Sequence, residues 1–206
     1  MMHYPQESMN MNRFALILIS AALAVCLAEG CRNGKAAQAP AAEEEIVPVE
    51  TCFTAIEKYL TEEIGSNYSP GEFTIPSYSY TVVDDSNPED IQVWGDFWVF
   101  NYDKVGDTLE TVSGGNHAGK MHLKKDADGH YTVTGFDQVA DGSDNLPSAQ
   151  RIFGEYFEDF SKAQANDKAR ENARTRAVAE FVREHGLDIK AYKDFGWPAV
   201  ELPAAE

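Results

Sequence analysis

Cysteine, basic side chains and long apolar runs are all scarce in this chain, and each scarcity excludes something. Only three cysteines occur in 206 residues, Cys26, Cys31 and Cys52, too few for the disulfide framework of a small secreted scaffold. Seventeen Lys and Arg stand against 34 Asp and Glu, a formal charge of −17. A polyanion meets such a surface at a disadvantage, because Lys and Arg contacts to phosphate dominate nucleic-acid affinity. Nucleic acid is therefore not an expected partner. The longest uncharged apolar run, FALILISAALAVCLA from Phe14 to Ala28, falls short of the about 20 residues that span a bilayer.

That short run has instead the length of an export signal's apolar region, preceded by Arg13 and followed by Ala28-Glu29-Gly30, small residues where a signal peptidase cuts. Glu7 is out of keeping with such a signal, which makes Met11 an alternative start. Residues 1–30 are read as a signal peptide. Its removal takes away Arg13, Glu7 and Glu29 and leaves 16 basic and 32 acidic side chains, a charge of −16.

The stretch LAEGC, Leu27 to Cys31, resembles the lipobox of bacterial lipoproteins, in which a cysteine after a small residue is lipidated before cleavage. The resemblance implies lipidation of Cys31 and a place in the cell envelope, periplasmic or at the cell surface, with the membrane as a partner through the lipid. The alternative is ordinary secretory cleavage, which leaves Cys31 as a free N-terminal thiol on a secreted soluble protein. Residues 31–47 read as a flexible tether that cannot fold by itself, because Arg32 to Glu45, RNGKAAQAPAAEEE, has no large apolar side chain. The remainder, 48–206, is long enough for one domain with its own core.

Periodicity organises that domain. Phe53, Ile56, Leu60 and Ile64 recur at helical spacing, with Gly65 as a C-terminal cap. FTIPSYSYTVV, residues 73–83, reads as a strand that Pro76 confines to a sheet edge. IQVWGDFWVFNY, residues 91–102, puts Val93, Phe97 and Val99 on one face and Trp94, Trp98, Phe100 and Tyr102 on the other, so it needs cover on both sides. A third strand runs from about Thr108 to Lys125 and a fourth from His130 to Asp137. The loop Ala127-Asp128-Gly129, with Gly129 left-handed, pairs Leu123 with Val133. Ile152, Phe153, Tyr156, Phe157 and Phe160 form one helical stripe with Pro147 in its first turn. A second C-terminal helix spans about Asp167 to His185, its Ala169, Ala173, Ala177 and Phe181 inward and its arginines, Arg170, Arg174, Arg176 and Arg183, on a solvated face. Tyr192, Phe195, Trp197, Val200 and Leu202 are expected to anchor the tail.

The fold class is thus α+β: an N-terminal helix on a four-stranded antiparallel sheet, with two C-terminal helices covering it, one helical layer per side. Over residues 49–138 this order of elements resembles the cystatin-like and NTF2-like folds.

The stretch GGNHAGKM, residues 114–121, matches G-x-x-x-x-G-K. A phosphate loop needs a helix N-terminus behind it and a hydroxyl after the lysine; here a hairpin and Met121 follow, so the glycines mark a bulge or close backbone contacts and no nucleotide is expected. His117, His122 and His130 do not converge in this register, and no metal is expected. Asp126-Ala127-Asp128-Gly129 and Asp141-Gly142-Ser143-Asp144 lack the twelfth-position Glu of a calcium loop and read as turns. Cys52 reads as a small buried hydrophobe. Trp94, Trp98, Phe100, Tyr78 and Tyr80, with His117, form the candidate ligand platform, the alternative being that these rings are core beneath the C-terminal helices. The implied function is an exported, lipid-anchored acidic protein that binds or scaffolds without catalysis, contacting a protein or a small extracytoplasmic ligand and needing no cofactor. The alternative is a small NTF2-like hydrolase or isomerase using Asp96 or His117.

Overall fold

The structure, a computed structural model, describes residues 51–204. The signal-peptide and tether readings, with Cys31, lie outside the described residues. Among the described residues, no helix is long and apolar enough to cross a membrane.

Thr51 caps helix α1, Cys52–Tyr59, by accepting a hydrogen bond from the Thr54 amide at 3.3 Å. The helix does not stop at Gly65. It widens into a π turn over Leu60–Ile64 and tightens into a 3-10 turn over Gly65–Asn67. Gly65 has a helical φ of −61°, so its role is contact rather than a left-handed cap: a Cβ there would press on the side chain of Thr74 at 2.6 Å.

Four long strands follow: β1 Phe73–Asp84, β2 Ile91–Val105, β3 Thr108–Lys125 and β4 Tyr131–Gln138. They pair in antiparallel succession. β1 pairs only with β2, the edge position that Pro76 dictates. The β3–β4 turn follows its local chemistry: Gly129 has φ +94° and Leu123 lies opposite Val133. A bulge at Thr134 then shifts the register, so that Met121 faces Phe136.

The sheet is larger than four strands and is mixed. Two short tail strands, β5 Ala191–Lys193 and β6 Val200–Glu201, extend it. β5 runs parallel to the start of β3, pairing Thr108 to Glu110 with Ala191 to Lys193, and β6 returns antiparallel on β5. Three residues of ladder carry almost no periodicity, which is why the expected antiparallel four-strand sheet must be corrected to six strands.

The C-terminal helices number three, not two. The aromatic stripe is split into α2, Asn145–Phe153, and α3, Phe157–Gln164, at Gly154, whose φ of +53° a helix cannot accommodate. α4 spans Asp167–Glu184, capped by Asn166.

Both faces of β2 are covered. On one face Val93 and Phe97 pack with Met121 and Leu123 beneath Ala55, Ile56 and Leu60 of α1. On the other, Ile75, Tyr102 and Leu109 pack against Val178 and Val182 of α4, while Trp94 and Ala118 pack against Phe153 and Phe160 of α2 and α3. At about 1.5–3 kcal/mol for each fully buried large apolar side chain, these clusters supply the main favourable term of folding. The inward row of α4 is centred on Arg174, Val178 and Val182; of the expected row, Ala177 and Phe181 pack half-buried beside it, whereas Ala169 is exposed. In the tail Tyr192 is buried, but Phe195 is 98% and Trp197 71% exposed. Those two do not anchor anything.

Candidate functional site

Between α4, the helical face of β1 and β2, and the β5–β6 hairpin lies a cleft of about 450 Å³. Its floor is Trp98 and Phe100, two residues apart on β2 and therefore on one face. Their rings are nearly parallel, 12° between planes with centroids 5.8 Å apart. The Trp98 indole N–H donates to Asp96 Oδ2 at 3.0 Å, and the Asn116 amide donates to the other oxygen. With its polar edge engaged, Trp98 offers the cleft an apolar ring.

The helical wall carries Arg170 and Arg174. Arg174 is a solvated residue in the sequence reading, and the structure corrects this: its side chain is only 12% exposed. Its guanidinium lies 3.6 Å from the Phe100 centroid and 4.6 Å from that of Tyr192. It donates to Tyr102 Oη at 2.8 Å, to Thr111 Oγ1 at 2.7 Å, and to both Asp194 oxygens at 2.9 and 2.8 Å. Burial opposes the charge on Arg174, but Asp194 and Tyr102 outweigh it and raise its pKa. Burial likewise works against the Asp194 carboxylate, and the hydrogen bonds from Arg174 and Thr111 hold it below the usual range. Arg170 lies 5.8 Å from the Trp98 centroid and bonds Asp167 and the Gln164 carbonyl. The tail wall is Trp197 to Val200, turned by the Trp197 N–H to Asp194 carbonyl bond of 3.0 Å. Charge in the cleft is nearly balanced, since Arg170 and Arg174 face Asp167, Glu171 and Asp194.

The candidate platform residues fall into separate places. Trp98 and Phe100 line the cleft. Trp94 is held beneath α2, its N–H donating to the Ile152 carbonyl at 2.9 Å and its ring 5.4 Å from Tyr156. Tyr78 and Tyr80 lie across the sheet, against Phe53 of α1 at 5.4 and 5.1 Å. There the Tyr78 hydroxyl donates to Glu57 at 3.0 Å, and burial raises the pKa of both groups. His117 meets the Tyr68 hydroxyl at 2.9 Å, and desolvation lowers its pKa. Asp96 is 2% exposed and sits behind Trp98. Cys52 is half-buried and burial raises its thiol pKa, which keeps it a thiol.

The three histidines stay apart: His122 lies between Asp90 at 2.7 Å and Asp137 at 3.3 Å, and His130 stands 3.5 Å from Asp126. Asp126, Asp128 and His130 approach one another at the exposed hairpin turn. There Asp126 Oδ1 accepts from the amides of Asp128 and His130, both at 2.9 Å, the bonding of a turn. The phosphate-loop lookalike lies inside β3. Its glycines do mark close approaches: a Cβ on Gly114 would strike the Val99 carbonyl, on Gly115 the Tyr68 hydroxyl, on Gly119 the Asp137 carbonyl.

Sequence reasoning missed Arg174, Tyr192 and Trp197 as cleft residues. The row Arg174, Val178, Val182 carried the missing signal, because an arginine in register with two buried valines lies on the packed side. No family model, curated protein or solved structure matches the chain.

Proposed function

We propose that this chain is an exported, lipid-anchored binding module of the cell envelope, and that its cleft receives a small extracytoplasmic ligand with a flat apolar face and hydroxyl groups, the chemistry of a neutral saccharide. The observation that carries this is the parallel Trp98–Phe100 floor facing an exposed Trp197 across a cleft of balanced charge. Aromatic faces take the apolar face of such a ring, and the mixed carboxylates and guanidiniums at the rim suit its hydroxyls. A large exposed aromatic beside a cleft is what a binding site keeps and a closed core does not.

The test is a titration of intrinsic tryptophan fluorescence with neutral oligosaccharides of several linkages. Saturable change in the wild type, lost in both Trp98→Ala and Trp197→Ala, supports the reading; binding that survives both variants overturns it. Lipidation is tested separately by labelling cells with a fatty acid and treating them with globomycin. Processing indifferent to the drug removes the Cys31 anchor and leaves the secreted alternative.

The second reading, a small NTF2-like hydrolase or isomerase, draws on the burial of Asp96 with the Asn116 amide in reach. It requires Asp96→Asn to abolish turnover while leaving ligand binding at the cleft intact.

A further inference from the structure

β3 is paired with β2 from Thr108 to Leu123, but its other edge is paired only at its ends. β5 covers Thr108 to Glu110, and β4 covers Gly119 to Lys125. One further bond, from the Val139 N–H to the Ala118 carbonyl at 2.8 Å, marks where the chain leaves the sheet for the 142–144 turn and α2. Among the described residues no strand lies beside Thr111 to His117 on that side. The vacancy is seven residues long, about 23 Å at strand rise.

Proteins normally guard such edges with proline, bulges or inward charge. The far edge of this sheet is guarded so: β1 carries Pro76 and a register shift between Tyr80 and Val82. The vacant stretch TVSGGNH carries a bulge at Val112 but neither proline nor a charged side chain. Ser113 to His117 are half-buried, and Val112 is 41% exposed. One flank is acidic. Beside Ala118, the segment from Val139 to Gln150 holds exposed Asp141 and Asp144 and no Lys or Arg; Asp141 is close enough to act on the titration of His117 and Tyr68. At the opposite end Lys193 is paired with Glu110 at 3.8 Å, and Asp194 accepts from the Thr111 hydroxyl at 2.6 Å.

We infer that Thr111 to His117 is a docking edge for an extended peptide of another protein, which adds an antiparallel strand in line with β4 and is basic at its N-terminal end. A strand running in the direction of β4 starts beside Asp141, so its positive N-terminal end meets the acidic flank. Main-chain hydrogen bonds to the outward N–H and C=O groups supply affinity. This inference is independent of the cleft reading.

The experiment uses the full chain and three synthetic nonapeptides: alternating Thr and Val after two N-terminal lysines, the same peptide with two glutamates instead, and the lysine peptide N-methylated at alternate amides. Binding is read by amide chemical shifts and hydrogen exchange. The lysine peptide is expected to shift the amides of residues 112–117 and to protect the alternate ones that face away from β2. The N-methylated peptide binds at least about tenfold more weakly, as the loss of several hydrogen bonds requires. Asp141→Lys, an exposed substitution, weakens the lysine peptide about threefold and strengthens the glutamate peptide, the size of one surface charge contact. The inference is overturned if no peptide perturbs residues 112–117 at about 1 mM, if N-methylation has no effect, if the shifts fall in the cleft instead, or if these amides are already protected in a dimer of the chain.

Discussion

Arg174 makes four hydrogen bonds and stacks on two rings, so little freedom is left in the wall of the cleft. Removing its guanidinium strands the Tyr102 hydroxyl, which is fully buried, and leaves Asp194 with Thr111 alone. Breaking a buried pair costs about 3–5 kcal/mol; Asp194 is still 43% exposed, which places Arg174→Ala near about 3 kcal/mol by urea unfolding. Trp197→Ala removes only an exposed ring, so it should change stability by less than about 0.5 kcal/mol while abolishing ligand response. A Trp197→Ala protein that binds normally disconnects the tail from the site. Side chains with a periodic partner, such as Met121 beside Leu123, were legible in the sequence. Arg174 was not, because a charged residue in a helix rich in arginine and glutamate looks solvated until its neighbours are known.

The long elements follow from alternation: β1 to β4 have apolar, β-branched and aromatic residues at a period of two, bounded by turn residues, and they form where that pattern predicts. The misjudged elements are those decided by single residues or by pairing at a distance. Helices α2 and α3 share one apolar stripe, and only the conformation of Gly154 separates them. A Cβ on Gly154 would meet nothing within 4 Å, so Gly154→Ala isolates the backbone cost of φ +53°. The expected loss is about 1–3 kcal/mol. Gly135 is the control: its φ is not left-handed and an added methyl group would touch only His122 at 3.9 Å. Gly135→Ala should stabilise by about 0.4–1 kcal/mol through the unfolded chain. Equal effects of the two substitutions in denaturant titrations would refute this account of the break. The β5–β6 hairpin illustrates the other limit, since its strands are too short to carry a period and are held by Thr108 to Glu110 far back in the chain.

For the molecule as a whole, charge sets two opposing dependences on pH. Thirty-four acidic against 17 basic residues repel one another in the compact state at neutral pH, and burial raises the pKa of Glu57. A carboxyl whose folded pKa is raised takes up its proton more readily when folded, so lowering the pH towards that value stabilises the fold. Asp90, Asp137 and Asp194 act in the other sense. Hydrogen bonds from His122 hold the first two below the ordinary carboxylate value. For Asp194 burial opposes this, but the bonds from Arg174 and Thr111 prevail. Their contribution is complete above the unfolded pKa of about 3.9 and is lost as the pH falls through their lower folded values. Asp90 and Asp137 are largely exposed, so screening shrinks their share and the Arg174–Asp194 pair dominates the acid limb. Thermal melts should therefore rise in Tm from neutral pH to about 5 and fall below about 4. Salt at about 1 M, with a screening length near 3 Å, should flatten the rise but leave most of the acid fall. A Tm that declines steadily from neutral pH to 5 at low salt would show that self-repulsion is not the governing term. An acid fall unchanged in Asp194→Asn would show that the cleft-wall pair is not what gives way.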